Sequence, residues 1–306
     1  MWTVGIDIGG TSLRIGLVDA QGCAHHVERV PQRQVLTEAG ESATLARLAD
    51  FVKDHLRRCV PGEAVAAMCV GVPATIDAAR QTVLSAPNVP ALSGLNIPGG
   101  LGALLPFPVY LEKDVNVLLA YDMHRFALDP AQTIVACYVG TGLGNAIMMN
   151  GRLLRGDHGV AGELGHIPVK DFDGLCGCGN RGCMEMLAGG RWLAHLRETH
   201  WPGTPIEQLF VAHAQEPLLA EYLDIVGQAI AIEVNILDPT TVIVGGGVPS
   251  MPGFPTDALS QRIRVHTRKP LPEAALQLRF SQDDGGNGAT GAGLIAWAHH
   301  RKGDWA

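Results

Sequence analysis

Apolar and polar positions alternate with a short period at both ends of a glycine pair near the start of the chain. TVGIDI (3–8) reads as a strand, Gly9 and Gly10 make a turn, and SLRIGLVD (12–19) resumes as a second strand that turns again at Gln21 and Gly22. The same form recurs near the middle, where IVACYVG (134–140) and NAIMMNG (145–151) flank the loop TGLG (141–144). The two halves therefore read as pseudo-repeats. Helical spacing follows each hairpin: Leu45, Leu48, Val52 and Leu56 in the first half, and Leu219, Tyr222, Val226, Ile230 and Val234 in the second. Both halves are thus predicted to be α/β. Between them, the Pro- and Gly-rich stretch 86–108 reads as loops and turns, VYLEKD (109–114) as a strand, and VNVLLAYDMHRFA (115–127) as a helix. The domain junction is expected near Val115, giving an N-terminal domain at 1–115 and a C-terminal domain at 116–287. A last helical run starts near Gly288. It fits either half, and joining 288–306 to the first is one of the options.

With 306 residues, 47% of them hydrophobic and 17% charged, the chain can fill two ordinary globular cores. The formal net charge of −7 argues against nucleic acid and against an anionic membrane, both of which call for a basic face. No apolar run approaches the roughly 20 residues of a membrane span, and the first residues lack the charged and apolar regions of a signal peptide. A cytoplasmic location is the expectation. Of the seven cysteines, Cys23, Cys59, Cys69 and Cys137 are scattered among apolar neighbours and read as small core residues of a reducing compartment.

The other three cysteines carry chemistry. Cys176, Cys178 and Cys183 form C-x-C-x₄-C, with His166 ten residues upstream. One nitrogen and three sulfurs suit a tetrahedral Zn²⁺. Four protein ligands leave no place for an activated water, so the metal is expected to fix a loop and catalysis to lie elsewhere.

Three glycine loops point to a nucleotide. Asp7-Ile8-Gly9-Gly10-Thr11 can bring backbone N–H groups to a phosphate with a hydroxyl and a carboxylate beside them. Gly140-Thr141-Gly142-Leu143-Gly144 offers a second loop of the same design, and VIVGGGV (242–248) is a buried strand running into three glycines. Any one of these could be an ordinary hairpin. Together they suit ATP, although neither the P-loop nor the dinucleotide fingerprint is present.

The residues DIGGT at Asp7, GTGLG at Gly140, GELGH at Gly162, CGCGNRGC with Glu185, and GGG at Gly245, in that order, resemble the ROK family of sugar kinases and related repressors. The likeness covers nearly the whole chain. It implies a two-domain actin-like ATPase fold of the hexokinase and ribonuclease H-like kind, with a cleft between the domains. APNVP (86–90), a basic residue before the matching aspartate, and GDHGVAGELGHIP (156–168) are most similar to the family's D-allose kinases. The family's repressors carry a helix-turn-helix ahead of the first phosphate loop. This chain begins six residues before Asp7, so the kinase branch is expected.

The resemblance also assigns roles. Asp114 matches the catalytic base, which would accept the proton of the sugar's primary hydroxyl, and a helix-capping role at the same position is compatible with that. Asp7 would hold Mg²⁺, through water, while Gly9, Gly10, Thr11, Ser12, Thr141, Gly142 and Gly144 line the path of ATP and Gly246 and Gly247 face its adenosine. Asn88, Asp114, Glu163, His166 and Glu185 would contact sugar hydroxyls, a task for groups that accept from O–H in fixed geometry. If GELGH forms a turn or short helix, His166 can bind zinc through one ring nitrogen and face the sugar with the other. One departure stands out: family glucokinases and acylmannosamine kinases have Asn immediately before the catalytic Asp, whereas this chain has Lys113, which only donates. Asn116 is either a helix surface residue or a partial replacement, and Ala74 stands where many relatives have glycine.

The implied activity is ATP-dependent 6-phosphorylation of an aldohexose, D-allose first, with glucose, fructose or N-acylmannosamine as alternatives. A sugar sensor without catalysis is the reading from another class. ATP, Mg²⁺ and structural Zn²⁺ are the implied cofactors. The implied partners are a hexose and ATP, with neither nucleic acid nor membrane, in a homo-oligomer that is a dimer or tetramer.

Overall fold

β-Branched and aliphatic side chains two apart place Val4, Ile6 and Ile8 on one face of the first strand, all fully buried in a hydrophobic core. The opposite face is buried as well, because Thr3 Oγ1 donates to the Gly293 carbonyl at 2.8 Å. A strand covered on both faces reads as a nearly continuous apolar run, as this one does.

In chain order the first half contains strands β1 (Trp2–Ile8), β2 (Ser12–Val18) and β3 (Ala24–Pro31) and helix α1 (Glu41–Cys59). Then come β4 (Val65–Val72), a small hairpin of β5 (Thr75–Ile76) and β6 (Val83–Ser85), helix α2 (Ile97–Gly102), β7 (Val109–Lys113) and helix α3 (Asp114–Arg125). The second half runs β8 (Ile134–Val139), β9 (Leu143–Met149), β10 (Arg152–Leu153), α4 (Glu185–Ala188), α5 (Gly190–His200), α6 (Leu209–Ala212) and α7 (Pro217–Leu237). It continues through β11 (Thr241–Gly245), α8 (Thr256–His266) and β12 (Gln277–Phe280) to α9 (Asn287–His300). This computed structural model describes residues 1–37 and 40–301, so of the run read from 288 to 306, positions 302–306 lie outside the described residues.

The chain divides into two units. Unit 1 holds 1–129, 155–161 and the chain from 284 onward, and unit 2 holds 130–154 and 162–283. Each contains a five-stranded sheet, ordered β3-β2-β1-β4-β7 in unit 1 and β10-β9-β8-β11-β12 in unit 2. In both, the first three strands are antiparallel and the last two join in parallel. On the sheet of unit 1, α1 buries Leu45, Leu48 and Val52, each contributing about 1.5–3 kcal/mol by leaving water. In unit 2, α7 does the same with Leu219, Tyr222, Val226, Ile230 and Val234.

The division falls after Asp129, whereas the sequence pattern had placed it near Val115. The helix that begins beyond β7 stays with unit 1 because Val117 and Ala120 pack with Ala67 and Cys69 of β4 and with Ala292, Ile295 and Ala296 of α9. The strand-to-helix change at 114 is therefore a joint inside one unit. Residues 155–161 also depart from the expected division, since they belong to unit 1 although the chain on either side of them belongs to unit 2.

The stretch 86–108, read as loops and turns, contains α2. Asn96 caps it by accepting from the Gly99 N–H at 2.8 Å, with Pro98 in its first turn. Its interior glycines cost about 1 kcal/mol each. Burial of Ile97 and Leu101, one turn apart, returns about 1.5–3 kcal/mol each, and the helix wins. Among the described residues no helix is long and apolar enough to cross a membrane.

Candidate active site

Unit 1 carries its candidate groups at the C-terminal ends of parallel strands, where open α/β sheets bind ligands. Asp7 pairs in register with Gly71 of β4, and Gly71 with Glu112 of β7, so Asp7 and Glu112 lie in one row across the sheet. Asp114 stands two residues beyond that row, as the first residue of α3. It is half-buried, and its Oδ1 accepts from the Val115 N–H at 2.8 Å. That contact fixes the carboxylate and satisfies one N–H of the first turn.

Asp7 is buried, and its Oδ2 accepts from Arg14 at 3.1 Å. A Cβ at Gly288 of α9 would lie 2.4 Å from the Asp7 carboxyl carbon, so only glycine lets the helix approach this carboxylate. Gly9 N–H donates to the Ser12 carbonyl at 2.8 Å, which closes the turn. Gly10 and Thr11 are exposed on that turn and Ser12 is buried behind it. Asn88 is exposed and lies beside the turn, 3.8 Å from where a Cβ of Gly10 would stand. A hard carboxylate oxygen at this position suits Mg²⁺, which takes one or two carboxylates and keeps several waters.

Sequence reasoning missed the groups around Asp114. Glu112 is 1% exposed and makes ion pairs with Arg80 and with Arg155, the latter at 3.5 Å. Its Oε1 accepts from Asn116 Nδ2 at 2.8 Å and from the Lys113 N–H at 2.9 Å. Asn116 is therefore a buried partner of Glu112, not a surface residue. The signal for Arg14 was available, because the β1–β2 hairpin register opposes it to Asp7. For Arg80 and Arg155 there was none, since they reach Glu112 from distant loops.

In unit 2 the loop Thr141–Gly142 joins β8 to β9. A Cβ on Gly142 would lie 2.1 Å from Glu185 Oε2, so this loop and the start of α4 touch at a position where any side chain has to displace that carboxylate. Thr141 is exposed, and its carbonyl accepts from the Arg191 N–H at 3.0 Å, while Gly144 lies within β9. Gly246 and Gly247 follow β11, and the Val248 N–H donates to the Val139 carbonyl at 3.0 Å, which brings them beside the end of β8.

GELGH forms a short 3₁₀ turn over Leu164–His166. His166 Nε2 lies 3.8 Å from Glu163 Oε2, and Nδ1 lies 3.7 Å from Cys176 Sγ. The ligand atoms of His166, Cys176, Cys178 and Cys183 all lie within 4.8 Å of one another, and Cys178 Sγ is 3.7 Å from Cys183 Sγ. Zn–S bonds of about 2.3 Å set tetrahedral sulfur–sulfur edges of about 3.8 Å, so the donor set fits zinc in type and in spacing. Burial, the largest cause, pushes the Cys176 thiol up to about 12, whereas the Asn180 backbone N–H holds Cys178 below the ordinary thiol value. A bound cation favours the thiolate at each. Cys176 Sγ also donates to Glu185 Oε1 at 3.0 Å, which ties the cluster to the carboxylate behind Gly142.

The family model described as "ROK family" matches residues 3–300. A glucokinase of Thermotoga maritima is 29% identical over 265 residues, 80% of this chain and 81% of that protein. An N-acetyl-D-glucosamine kinase of Yersinia enterocolitica is also 29% identical, over 80% of this chain and 83% of its own length. Among solved structures, a ROK glucokinase from Streptomyces griseus in complex with glucose and AMPPNP matches with a TM-score of 0.79 and 27% identity, covering 99% of this chain and 100% of that one. The mixed α/β architecture is thus the actin-like ATPase fold of ROK hexokinases.

Proposed function

The chain belongs to the ROK family, and from that premise we propose that it is an ATP-dependent hexokinase acting on the 6-hydroxyl of an aldohexose, D-allose. The observation that carries the reading is the carboxylate of Asp114, held by the Val115 N–H at the end of β7, two residues past the sheet row that contains Asp7. Phosphoryl transfer asks for positioning and charge neutralisation more than for covalent chemistry by the protein. Asp114 accepts the hydroxyl proton as the sugar oxygen attacks the γ-phosphorus, and ADP leaves. Backbone N–H groups of the turns at Gly9–Thr11 and Thr141–Gly142 bind phosphate oxygens, with Ser12 and Gly144 supporting those turns. Gly246 and Gly247 leave room for the nucleoside. Mg²⁺ supplies neutralisation of phosphate charge when bound, with Asp7 as its carboxylate.

Asn88, Glu163, His166 and Glu185 orient the sugar by accepting from its hydroxyls. In this reading Zn²⁺, held by His166, Cys176, Cys178 and Cys183, is structural. The choice of D-allose rests on Lys113 in place of an acceptor-bearing Asn, and on the sequences at 86–90 and 156–168. The relatives named above favour glucose or N-acetylglucosamine as the second reading.

An ADP-coupled assay over a panel of hexoses and N-acylhexosamines tests this. Turnover with D-allose at the highest kcat/KM is expected. Sugar binding with no ADP released sinks the kinase reading, and a preference for glucose or N-acetylglucosamine sinks the allose one. Lys113→Asn is expected to move the glucose-to-allose ratio of kcat/KM toward glucose by about tenfold, the worth of one sugar hydrogen bond, with KM for ATP unmoved.

A further inference from the structure

Glu112 is a buried carboxylate two residues before the candidate base, and the phosphoryl-transfer scheme does not use it. Burial and the Arg155 guanidinium pull Arg80 down to about 10, so Arg80 is still a cation at neutral pH. Glu112 therefore faces two guanidinium groups from two separate segments. Arg80 comes from the turn after β5 and also donates to the Leu111 carbonyl at 3.0 Å. Arg155 opens the segment 155–161, which packs in unit 1 while β10 before it and Gly162 after it belong to unit 2.

Within that segment the Gly159 N–H donates to the Gly156 carbonyl at 3.3 Å. The Ala161 N–H donates to the Arg155 carbonyl at 2.9 Å and closes the segment on itself. Its contact with the rest of unit 1 includes Gly159, where an added Cβ would stand 3.5 Å from Ala78 Cα and from the Ile76 carbonyl. Ala78 lies in the same turn as Arg80. One buried carboxylate thus clamps the turn and the strap that lies on it. At its other end the strap leads within two residues to Glu163, and Glu112 itself lies two residues before Asp114.

We propose that Glu112 is a positioning residue whose ion pair with Arg155 fixes the strap 155–161 on unit 1, and through the chain running on from Ala161 restrains the loop that begins at Glu163. The proposal rests on the sugar-kinase reading for its kinetic consequence only. The scheme above gives neither Glu112 nor Arg155 a substrate contact. Their contribution is therefore to sugar KM and not to nucleotide binding, and it depends on the pair being intact.

The test uses the full chain and the best hexose of the panel. Arg155→Met is expected to raise sugar KM about tenfold, a cost of misplacement, with KM for ATP unchanged. Arg155→Lys should recover part of the loss. Glu112→Gln should give the same signature, and the Glu112→Gln/Arg155→Met double variant should be no worse than the worse single. If Glu112→Gln does not fold, the arginine variants still decide. Equal rises in both KM values, additive losses, or unchanged kinetics overturn the proposal. Hydrogen exchange supplies a readout independent of catalysis: amides of 155–161 should exchange faster in Arg155→Met, with those of α7 unmoved. If the unmodified protein phosphorylates no sugar, the kinase reading fails, and unchanged strap exchange would by itself refute the clamp.

Discussion

The two units share one strand order but fix their carboxylates by different means. In unit 1, Asp7 and Asp114 belong to β1 and to the joint of β7 with α3, so the sheet's hydrogen-bond ladder places them. In unit 2, Glu163 and Glu185 lie on an excursion between β10 and α5 with little regular structure, and a cluster of His and Cys side chains holds it. The difference is one of conformational entropy. A strand end inherits order from its neighbours, whereas a long loop has to be cross-linked before its side chains can hold a fixed geometry.

The largest effect expected from that contrast is at the strand-end carboxylate. Asp114→Asn should lose about 10²-fold or more in kcat, with the fold and sugar binding retained, because the scaffold does not depend on the charge. Near-normal turnover would remove Asp114 from the role of base. At the cross-linked loop, the purified protein should contain one zinc per chain by elemental analysis. Cys178→Ser should lose that zinc and raise sugar KM about 10- to 100-fold, while KM for ATP changes little. Protein free of zinc yet fully active would break the comparison at its centre.

A smaller effect is expected where the loop meets the glycine turn of unit 2. Gly142→Ala has to displace the Glu185 carboxylate, and about a tenfold rise in sugar KM should follow. Gly140→Ala meets nothing within 4 Å and serves as the control. Equal behaviour of the two would show that the Gly142–Glu185 contact carries no function.

The smallest concerns acid sensitivity, which the comparison assigns to unit 1 at His55. This residue of α1 is 1% exposed, donates from Nδ1 to Glu28 at 3.0 Å, and has no partner at Nε2. Burial, opposed by Glu28, lowers its pKa below the usual 6.5, with Arg58 and His26 adding to the fall. A folded value below the unfolded one means stability is full above about pH 6.5 and is lost as pH falls toward the folded value. The protection factors of α1 amides, which is exchange corrected for its intrinsic pH dependence, should therefore fall between pH 7.5 and 5.5, and less so in His55→Gln. Reading α1 alone keeps acid loss of metal from unit 2 out of the result. Equal acid response in both proteins would acquit His55.

Local patterning made the central elements legible. Strands β1, β2, β8, β9 and β11 and helices α1 and α7 follow from side-chain periods of two and of 3.6, and the grouping of His166 with Cys176, Cys178 and Cys183 follows from residue type and spacing along one short segment. Helix α2 escaped because its glycines hide a cap and two buried residues one turn apart. The domain division escaped for a different reason: whether α3 goes with one half or the other depends on which surfaces accept Val117 and Ala120, and those surfaces are built by β4 and α9 from opposite ends of the chain.

The sequence by itself determined what depends on neighbours in the chain: the paired hairpins, the glycine turns, the Cys₃His set and the aspartate after β7. Tertiary structure alone decided what depends on residues far apart in sequence. It set Gly288 against Asp7, Gly142 against Glu185, and Arg80 and Arg155 on the buried Glu112. The physical reason is that periodicity and ligand spacing are written in consecutive residues, whereas a close approach or a buried ion pair exists only once burial has chosen which distant segments share the same space.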